Sequence, residues 1–205
     1  MNSFYDKYEF FNLTILDSPI DETKIEIEEL VSNWWGDKSI LEDKVDLEKV
    51  NPAPLIKAGG AHFIKLMIWE PKCNIGQTAL FVNYQDAYNS LIHVWNKRFK
   101  KQSITLRLSN DLISKYPHHE FHLRTNDNIE RIVYSHVETK WEFYENGPIQ
   151  DFENTDYYKR RLIRDRLNNE IINAYMDKLG FMIWSADFYK SNRNGIYFEQ
   201  LSYKK

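Results

Sequence analysis

Four short segments in the second half of this chain constrain its fold more than any other feature. They are residues 103–109, 118–124, 130–136 and 140–145. Each segment has the composition of a strand, and turn residues separate neighbouring segments. The connections are too short for the crossover helix that parallel neighbours require. The sequence therefore predicts an antiparallel meander.

A long amphipathic helix is predicted for residues 154–180. Apolar side chains recur there at helical spacing, at Ile163, Leu167, Ile171, Tyr175 and Leu179. Thr155 is expected to cap its N-terminus, and Gly180 is expected to end it in the left-handed conformation. We expect this helix to cover one face of the sheet.

The remaining elements complete an α+β pattern. Further strands are predicted at 8–16, 62–69, 78–84, 181–188 and 196–203, and two shorter helices between 18 and 36 and at 86–99. In the strand at 62–69, even-numbered and odd-numbered residues are expected to face opposite sides. The expected fold class is thus α+β, with an antiparallel, meander-rich sheet packed against a long C-terminal helix and two shorter helices.

Length and composition favour one ordinary globular domain. The chain has 205 residues and is 42% hydrophobic, which suits a single domain spanning 1–205. A small N-terminal subdomain, residues 1–50, is the alternative, because prolines and paired glycines mark a boundary near 51–60. The single cysteine, Cys73, excludes an internal disulfide. Without a signal peptide or an apolar span, we expect a cytoplasmic protein that contacts no membrane.

Common enzyme signatures are missing from the sequence, which has no dinucleotide fingerprint, phosphate loop, nucleophile elbow or zinc-protease helix. No cofactor is therefore expected. His118, Glu120 and His122 alternate along a predicted strand and would project from one face, an arrangement that a divalent metal could use. The alternative is that they are the solvent-facing residues of a half-exposed strand.

Two weaker chemical candidates remain. Glu138 and Lys140, preceded by Asp127, have the order of carboxylates and lysine found in metal-dependent nuclease sites. The same residues also suit a hairpin turn, which is the better explanation. Cys73 would be a nucleophile if a histidine lay beside it, and otherwise it is a free thiol without a role.

Charge is distributed unevenly along a chain whose net charge is −3. Residues 17–48 carry eleven carboxylates and three lysines, which indicates either a solvated face or a docking surface for a basic partner. Cations cluster at 97–101 and 159–166, where Arg161–Asp165 and Arg166–Glu170 are expected to form ion pairs along a helix. Nucleic-acid binding is therefore an alternative but not the expected function.

A family resemblance adds to these patterns. A small α+β protein with one cysteine, many tyrosines and tryptophans and an acidic flank resembles bacterial toxin-immunity proteins. Several motifs are also similar to those of uncharacterised bacterial proteins: residues 141–147, Phe152-Glu153, Tyr158, Arg161, Arg164-Asp165-Arg166 and Leu179-Gly180. The resemblance implies stoichiometric binding without turnover, with an acidic, aromatic surface covering the active site of a basic toxin.

The leading hypothesis is therefore a non-enzymatic binding protein that neutralises a basic toxin or effector. The residues expected to bind the partner are Asp37, Glu42, Asp43, Asp46 and Glu48, with Trp34 or Trp35 as an anchor if exposed. The main alternative is a metal-dependent hydrolase or nuclease that uses either the histidine strand or Glu138 and Lys140. The sequence assigns neither a specific partner nor an oligomeric state.

Overall fold

Nine strands form one antiparallel sheet in a computed structural model that describes residues 3–50, 62–127 and 129–204. The strands are β1 Phe10–Leu16, β2 Lys38–Asp43, β3 Lys65–Trp69, β4 Thr78–Val82, β5 Ser103–Ser109, β6 His118–Arg124, β7 Glu130–Val137, β8 Trp141–Asn146 and β9 Gly195–Gln200. Within these described ranges, three α-helices accompany the strands: α1 Ile20–Trp34, α2 Asn89–Phe99 and α3 Asn169–Lys178. The order across the sheet is β2-β9-β3-β4-β1-β5-β6-β7-β8. The predicted α+β fold class is confirmed.

The meander of β5 to β8 forms as predicted. Each of these strands pairs antiparallel with the next along the chain. β1 pairs with β5 on one side and with β4 on the other, so it lies in the middle of the sheet. The boundary expected near 51–60 lies outside the described residues. None of the described helices has the length and apolar character needed to cross a membrane.

Two apolar layers cover opposite faces of the sheet. In β3, Leu66 and Ile68 pack in the layer that contains α1 and α2, whereas Met67 and Trp69 pack in the layer that contains α3. This is the alternation predicted from the sequence. On the face covered by α1 and α2 elsewhere, β5 and β6 carry polar side chains, among them Arg107, Glu120 and His122.

The C-terminal helix is much shorter than predicted. Residues 154–168 contain two single 3₁₀ turns, Tyr157–Lys159 and Ile163–Asp165, and α3 begins only at Asn169. Asn168 caps α3 because its side chain accepts a hydrogen bond from the Ile171 N–H at 3.0 Å, so Thr155 is not the cap. Gly180 has a φ of +86° and follows the helix end as predicted.

The strand predicted at 181–188 is wrong. A 3₁₀ helix, Ala186–Tyr189, occupies the end of this segment, and backbone carbonyls of the segment accept hydrogen bonds from side chains. The Phe188 carbonyl accepts a hydrogen bond from the Trp69 indole at 3.1 Å, and the Ile183 carbonyl accepts one from the Tyr189 hydroxyl at 2.7 Å. The last strand, β9, is inserted between β2 and β3.

Candidate functional site

The acidic residues predicted to bind a partner lie along one end of the sheet. Asp37 immediately precedes β2, Glu42 and Asp43 end that strand, and Asp46 and Glu48 belong to the 3₁₀ turn that follows. We call these five residues and Trp34 the acidic edge. Glu42, Asp43, Asp46 and Glu48 are neighbours because a turn directly follows the strand, whereas the six-residue strand places Asp37 and Trp34 at its other end, roughly 20 Å away.

Three carboxylates of the acidic edge form ion pairs with lysines of the same chain. Glu42 lies 2.7 Å from Lys24, Glu48 lies 2.7 Å from Lys7, and Asp43 pairs with Lys49. The hydrogen bond from Lys7 lowers the pKa of Glu48, and the bond from Lys49 lowers the pKa of Asp43. All three pairs are exposed to solvent, so their charges are screened.

The other two carboxylates of the acidic edge hydrogen-bond to neutral groups. Asp46 accepts a hydrogen bond from the Glu48 N–H at 3.0 Å and so caps the 3₁₀ turn. Asp37 accepts one from the Ser202 hydroxyl at 3.1 Å. Neither carboxylate has an ion-pair partner among the described residues.

The two tryptophans differ in accessibility. Trp35 is 2% exposed, and its indole N–H donates to the Tyr88 hydroxyl at 3.3 Å, so it belongs to the core. Trp34 is 37% exposed and meets the condition for an anchor. Leu41, in the middle of β2, is also exposed. Leu41 was not among the residues predicted to bind a partner, although its place between Lys38 and Glu42 in an acidic segment was a usable signal.

Other carboxylates of residues 17–48 contact distant parts of the same chain. Asp21 forms two hydrogen bonds with Arg193, and Glu29 pairs with Arg98 of α2. Glu26 is buried, accepts a hydrogen bond from the Trp95 indole at 2.8 Å and pairs with Lys101. These contacts join α1 to α2 and to the loop before β9, so this part of the acidic segment has a structural role.

The side chains of His118, Glu120 and His122 share one face of β6, as predicted, but they are not solvent-facing. All three are less than 20% exposed. Glu120 lies 2.9 Å from His118 Nε2 and accepts a hydrogen bond from Arg107 at 3.3 Å. Burial would raise the pKa of Glu120, but the hydrogen bond from His118, the neighbouring His122 and the Arg107 charge hold it well below its usual range. The carboxylate is thus committed to internal ion pairs.

Glu130 completes this polar face. It lies 2.6 Å from His122 Nε2 and accepts a hydrogen bond from Arg124 at 3.0 Å. Three buried nitrogens on the face have no hydrogen-bond partner in the described part of the chain: His122 Nδ1, Arg124 Nη1 and His136 Nδ1. Among the described residues, no group of three or more His, Cys, Asp or Glu is arranged to hold a metal ion.

The second metal-site candidate is not assembled. Asp127 lies before the start of β7, whereas Glu138 follows its end, so an eight-residue strand separates them by roughly 25 Å. Glu138 and Lys140 both lie in the connection between β7 and β8, where the turn explanation placed them. Cys73 is at the surface, and partial burial raises the pKa of its thiol, which opposes thiolate formation.

A polar cavity that the sequence analysis did not identify lies beside the start of α3. It has a volume of about 490 Å³, and Asp6, Asp111, Asn169 and Glu170 contribute to its wall. His119 lies at its floor, 2.9 Å from Asp111 and 2.8 Å from Asn169. Both ring nitrogens are therefore occupied by hydrogen bonds. Only the strand alternation, which buries His119, pointed toward it.

The arginine-rich segment before α3 also differs from expectation. Because residues 157–166 form two 3₁₀ turns, neither Arg161–Asp165 nor Arg166–Glu170 forms an ion pair.

No protein-family model, curated protein or solved structure matches this chain.

Proposed function

We propose that this protein is a non-enzymatic binding protein that neutralises a basic partner, with a secreted bacterial toxin as the leading candidate. It would act in the cytoplasm by occupying the partner stoichiometrically. The observation that carries the proposal is the acidic edge, where five carboxylates and an exposed tryptophan follow one terminal strand of the sheet.

The composition of this edge suits a protein interface. Within the described residues, β2 pairs with β9 alone, so the sheet ends at β2. Leu41 and Trp34 offer apolar contact on opposite sides of β2, and the carboxylates along this edge can pair with arginines or lysines. Interfaces commonly combine a few large apolar anchors with charged residues at the rim, where charge complementarity accelerates association.

The ion pairs within the acidic edge do not prevent this role. Lys24, Lys7 and Lys49 are surface side chains, and exposed pairs with lysine hold each partner weakly. A basic partner would exchange these lysines for its own cations, and an arginine would add bidentate geometry. Asp37 and Asp46 need no exchange, because neither is in an ion pair.

The enzymatic alternative has less support. Glu120 already neutralises Arg107 and bonds to His118, and the carboxylates at the two ends of β7 are far apart. No observation favours a metal-dependent hydrolase or nuclease over binding.

A toxicity-rescue experiment tests the proposal. Each basic secreted effector encoded near this gene would be expressed in a bacterial host, with and without this protein, and growth and complex formation would be measured. We expect protection at equimolar expression and a 1:1 complex. Glu42→Lys/Asp43→Lys should abolish protection, because two repulsive contacts replace two attractive ones.

Matched variants sharpen the test. Glu138→Lys/Glu142→Lys makes the same change in net charge at exposed sites far from β2, and it should still protect. Trp34→Ala should weaken the complex about 30-fold if this ring is an anchor. Three outcomes would refute the proposal. Both charge-reversal variants lose protection equally, the protein protects at levels strongly substoichiometric to the effector, or it binds none of the effectors.

A further inference from the structure

Residues 157–166, which we call the arginine loop, form a cationic part of the described surface. They include five cations and one anion: Lys159, Arg160, Arg161, Arg164 and Arg166, against Asp165. The loop lies against β7 and β8, at the opposite end of the sheet from the acidic edge. Eight inter-strand spacings, roughly 38 Å, separate the two ends.

The core fixes the backbone of the arginine loop at three points. Tyr158 is buried, and its hydroxyl donates to the Glu153 carboxylate at 2.5 Å. The Ser135 hydroxyl donates to the Ile163 carbonyl at 3.4 Å, and Leu167 is completely buried at the end of the loop. Side chains on such a fixed backbone lose little conformational entropy on binding.

Two of the arginines brace the loop. Arg160 donates to the Asp165 carbonyl at 3.0 Å, and its guanidinium lies 4.3 Å from the centre of the Tyr157 ring. Arg166 donates to the Arg160 carbonyl at 2.9 Å and lies 5.6 Å from the Phe143 ring centre. Carbonyls and rings orient these cations but bring no negative charge to neutralise them.

The remaining arginines project from this frame. Arg161 is exposed and makes no ion pair or hydrogen bond with the described residues. Among the described residues, Arg164 pairs with Asp165 alone, at 3.8 Å, which is too far for a hydrogen bond. Leu162 is exposed between them, at 42%. The loop therefore presents two guanidinium groups on either side of an apolar side chain.

We propose that the arginine loop is a docking surface for an acidic segment of a partner protein, with Leu162 as the apolar contact. Guanidinium groups bind carboxylates in bidentate geometry, and arginine is enriched in protein interfaces. This surface goes beyond the proposed function, because it has the opposite charge and lies at the other end of the sheet.

A protein partner fits this surface better than a nucleic acid. The exposed carboxylates of Asp156, which immediately precedes the loop, and Glu145, on the same face of β8 as Phe143, flank the loop. A phosphate backbone longer than the loop would run onto these carboxylates, and the net charge of −3 adds no long-range attraction. A short acidic segment ends before it meets them.

Fluorescence anisotropy with the full chain tests the inference. The probe is a labelled peptide of Glu-Glu-Leu repeats, titrated at low and at physiological salt, and a labelled single-stranded oligodeoxythymidine is measured in parallel. We expect saturable binding of the peptide that weakens with salt. Arg161→Ala/Arg164→Ala should reduce its affinity about tenfold, and Leu162→Ser should reduce it severalfold at unchanged charge.

The control is Lys72→Ala/Lys97→Ala, which removes the same charge from exposed lysines elsewhere and should leave peptide affinity within about twofold. Three outcomes would overturn the inference. The peptide fails to bind, the two double variants lose equal amounts of peptide affinity, or the oligonucleotide binds more tightly than the peptide through Arg161 and Arg164. Rescue by the arginine variants in the toxicity experiment should be normal, so the two proposals fail independently.

Discussion

Glu153→Gln is the substitution that best tests how the arginine loop is anchored. The Glu153 carboxylate is completely buried. It accepts two hydrogen bonds from Arg131, at 2.9 and 2.7 Å, one from the Tyr158 hydroxyl and one from the Gln150 N–H at 2.9 Å. Glutamine keeps the shape but replaces one oxygen with a donor, so donors would face donors and Arg131 would lose its buried counter-ion.

The expected cost is about 3 kcal/mol in the free energy of unfolding. Removing one partner of a buried ion pair costs about 3–5 kcal/mol. The lower end applies because Arg131, itself 1% exposed, keeps Glu145 at 2.6 Å. With a urea dependence of about 2 kcal/mol per molar, the unfolding midpoint should fall by about 1.5 M.

The pH dependence of the same variant has a definite sign. Burial would raise the pKa of Glu153, but the hydrogen bonds from Arg131 and Tyr158 lower it. The wild-type protein therefore gains stability from this group above the unfolded pKa and loses it as pH falls through the folded pKa. Because glutamine does not titrate, the stability gap between the two proteins should narrow below about pH 4.5.

Urea denaturation followed by tryptophan fluorescence measures these effects. Arg131→Met/Glu153→Gln removes both charges and should be more stable than Glu153→Gln alone, since no buried charge is left unpaired. A loss below about 1 kcal/mol for Glu153→Gln, or a double variant less stable than the single one, would refute the reasoning.

Three further predictions use the same measurement. Trp35→Ala should cost about 3–5 kcal/mol, because this side chain is buried, whereas Trp34→Ala should cost less than about 1 kcal/mol; equal costs would contradict the assigned burial. Gly147→Ala should lower the free energy of unfolding by more than about 2 kcal/mol, because φ is +89° and a Cβ would lie 1.9 Å from a backbone oxygen. Gly76→Ala should lower it by about 1 kcal/mol, because φ is +86° but the space around this glycine is open. Burial lowers the pKa of His118, so stability should fall as pH drops below about 6.5, and His118→Gln should reduce that slope between pH 7.5 and 5.5; an unchanged slope would exclude His118 as its source.

Patterns with a short period were sufficient to predict most of the sheet. Alternation along Lys65–Trp69 separated the two faces of β3 correctly, because neighbouring side chains in a strand must point in opposite directions. The meander followed from its short connections. Apolar spacing alone was not sufficient for residues 154–168, because Tyr158 is buried there from a 3₁₀ turn and Leu167 from the irregular segment before α3, as well as they would be from a helix.

The candidate surfaces were predictable only in part. The acidic edge could be listed from the sequence, because its residues lie close together in the chain. The burial of Glu120 could not be predicted from the sequence, since it depends on Arg107 of β5 and on the strand register. The free guanidinium groups of the arginine loop were also missed, because they follow from the absence of helical geometry.

The amino-acid sequence by itself determined which side chains could share a strand face and which segments had to turn, because backbone geometry imposes those relations between near neighbours. Only the tertiary structure decided which charges neutralise one another. Lys7 meets Glu48 across 41 positions, and Arg193 meets Asp21 across 172, so these pairs depend on how distant elements pack. The charges left unpaired after that packing, on the arginine loop, could therefore be identified only in the folded chain.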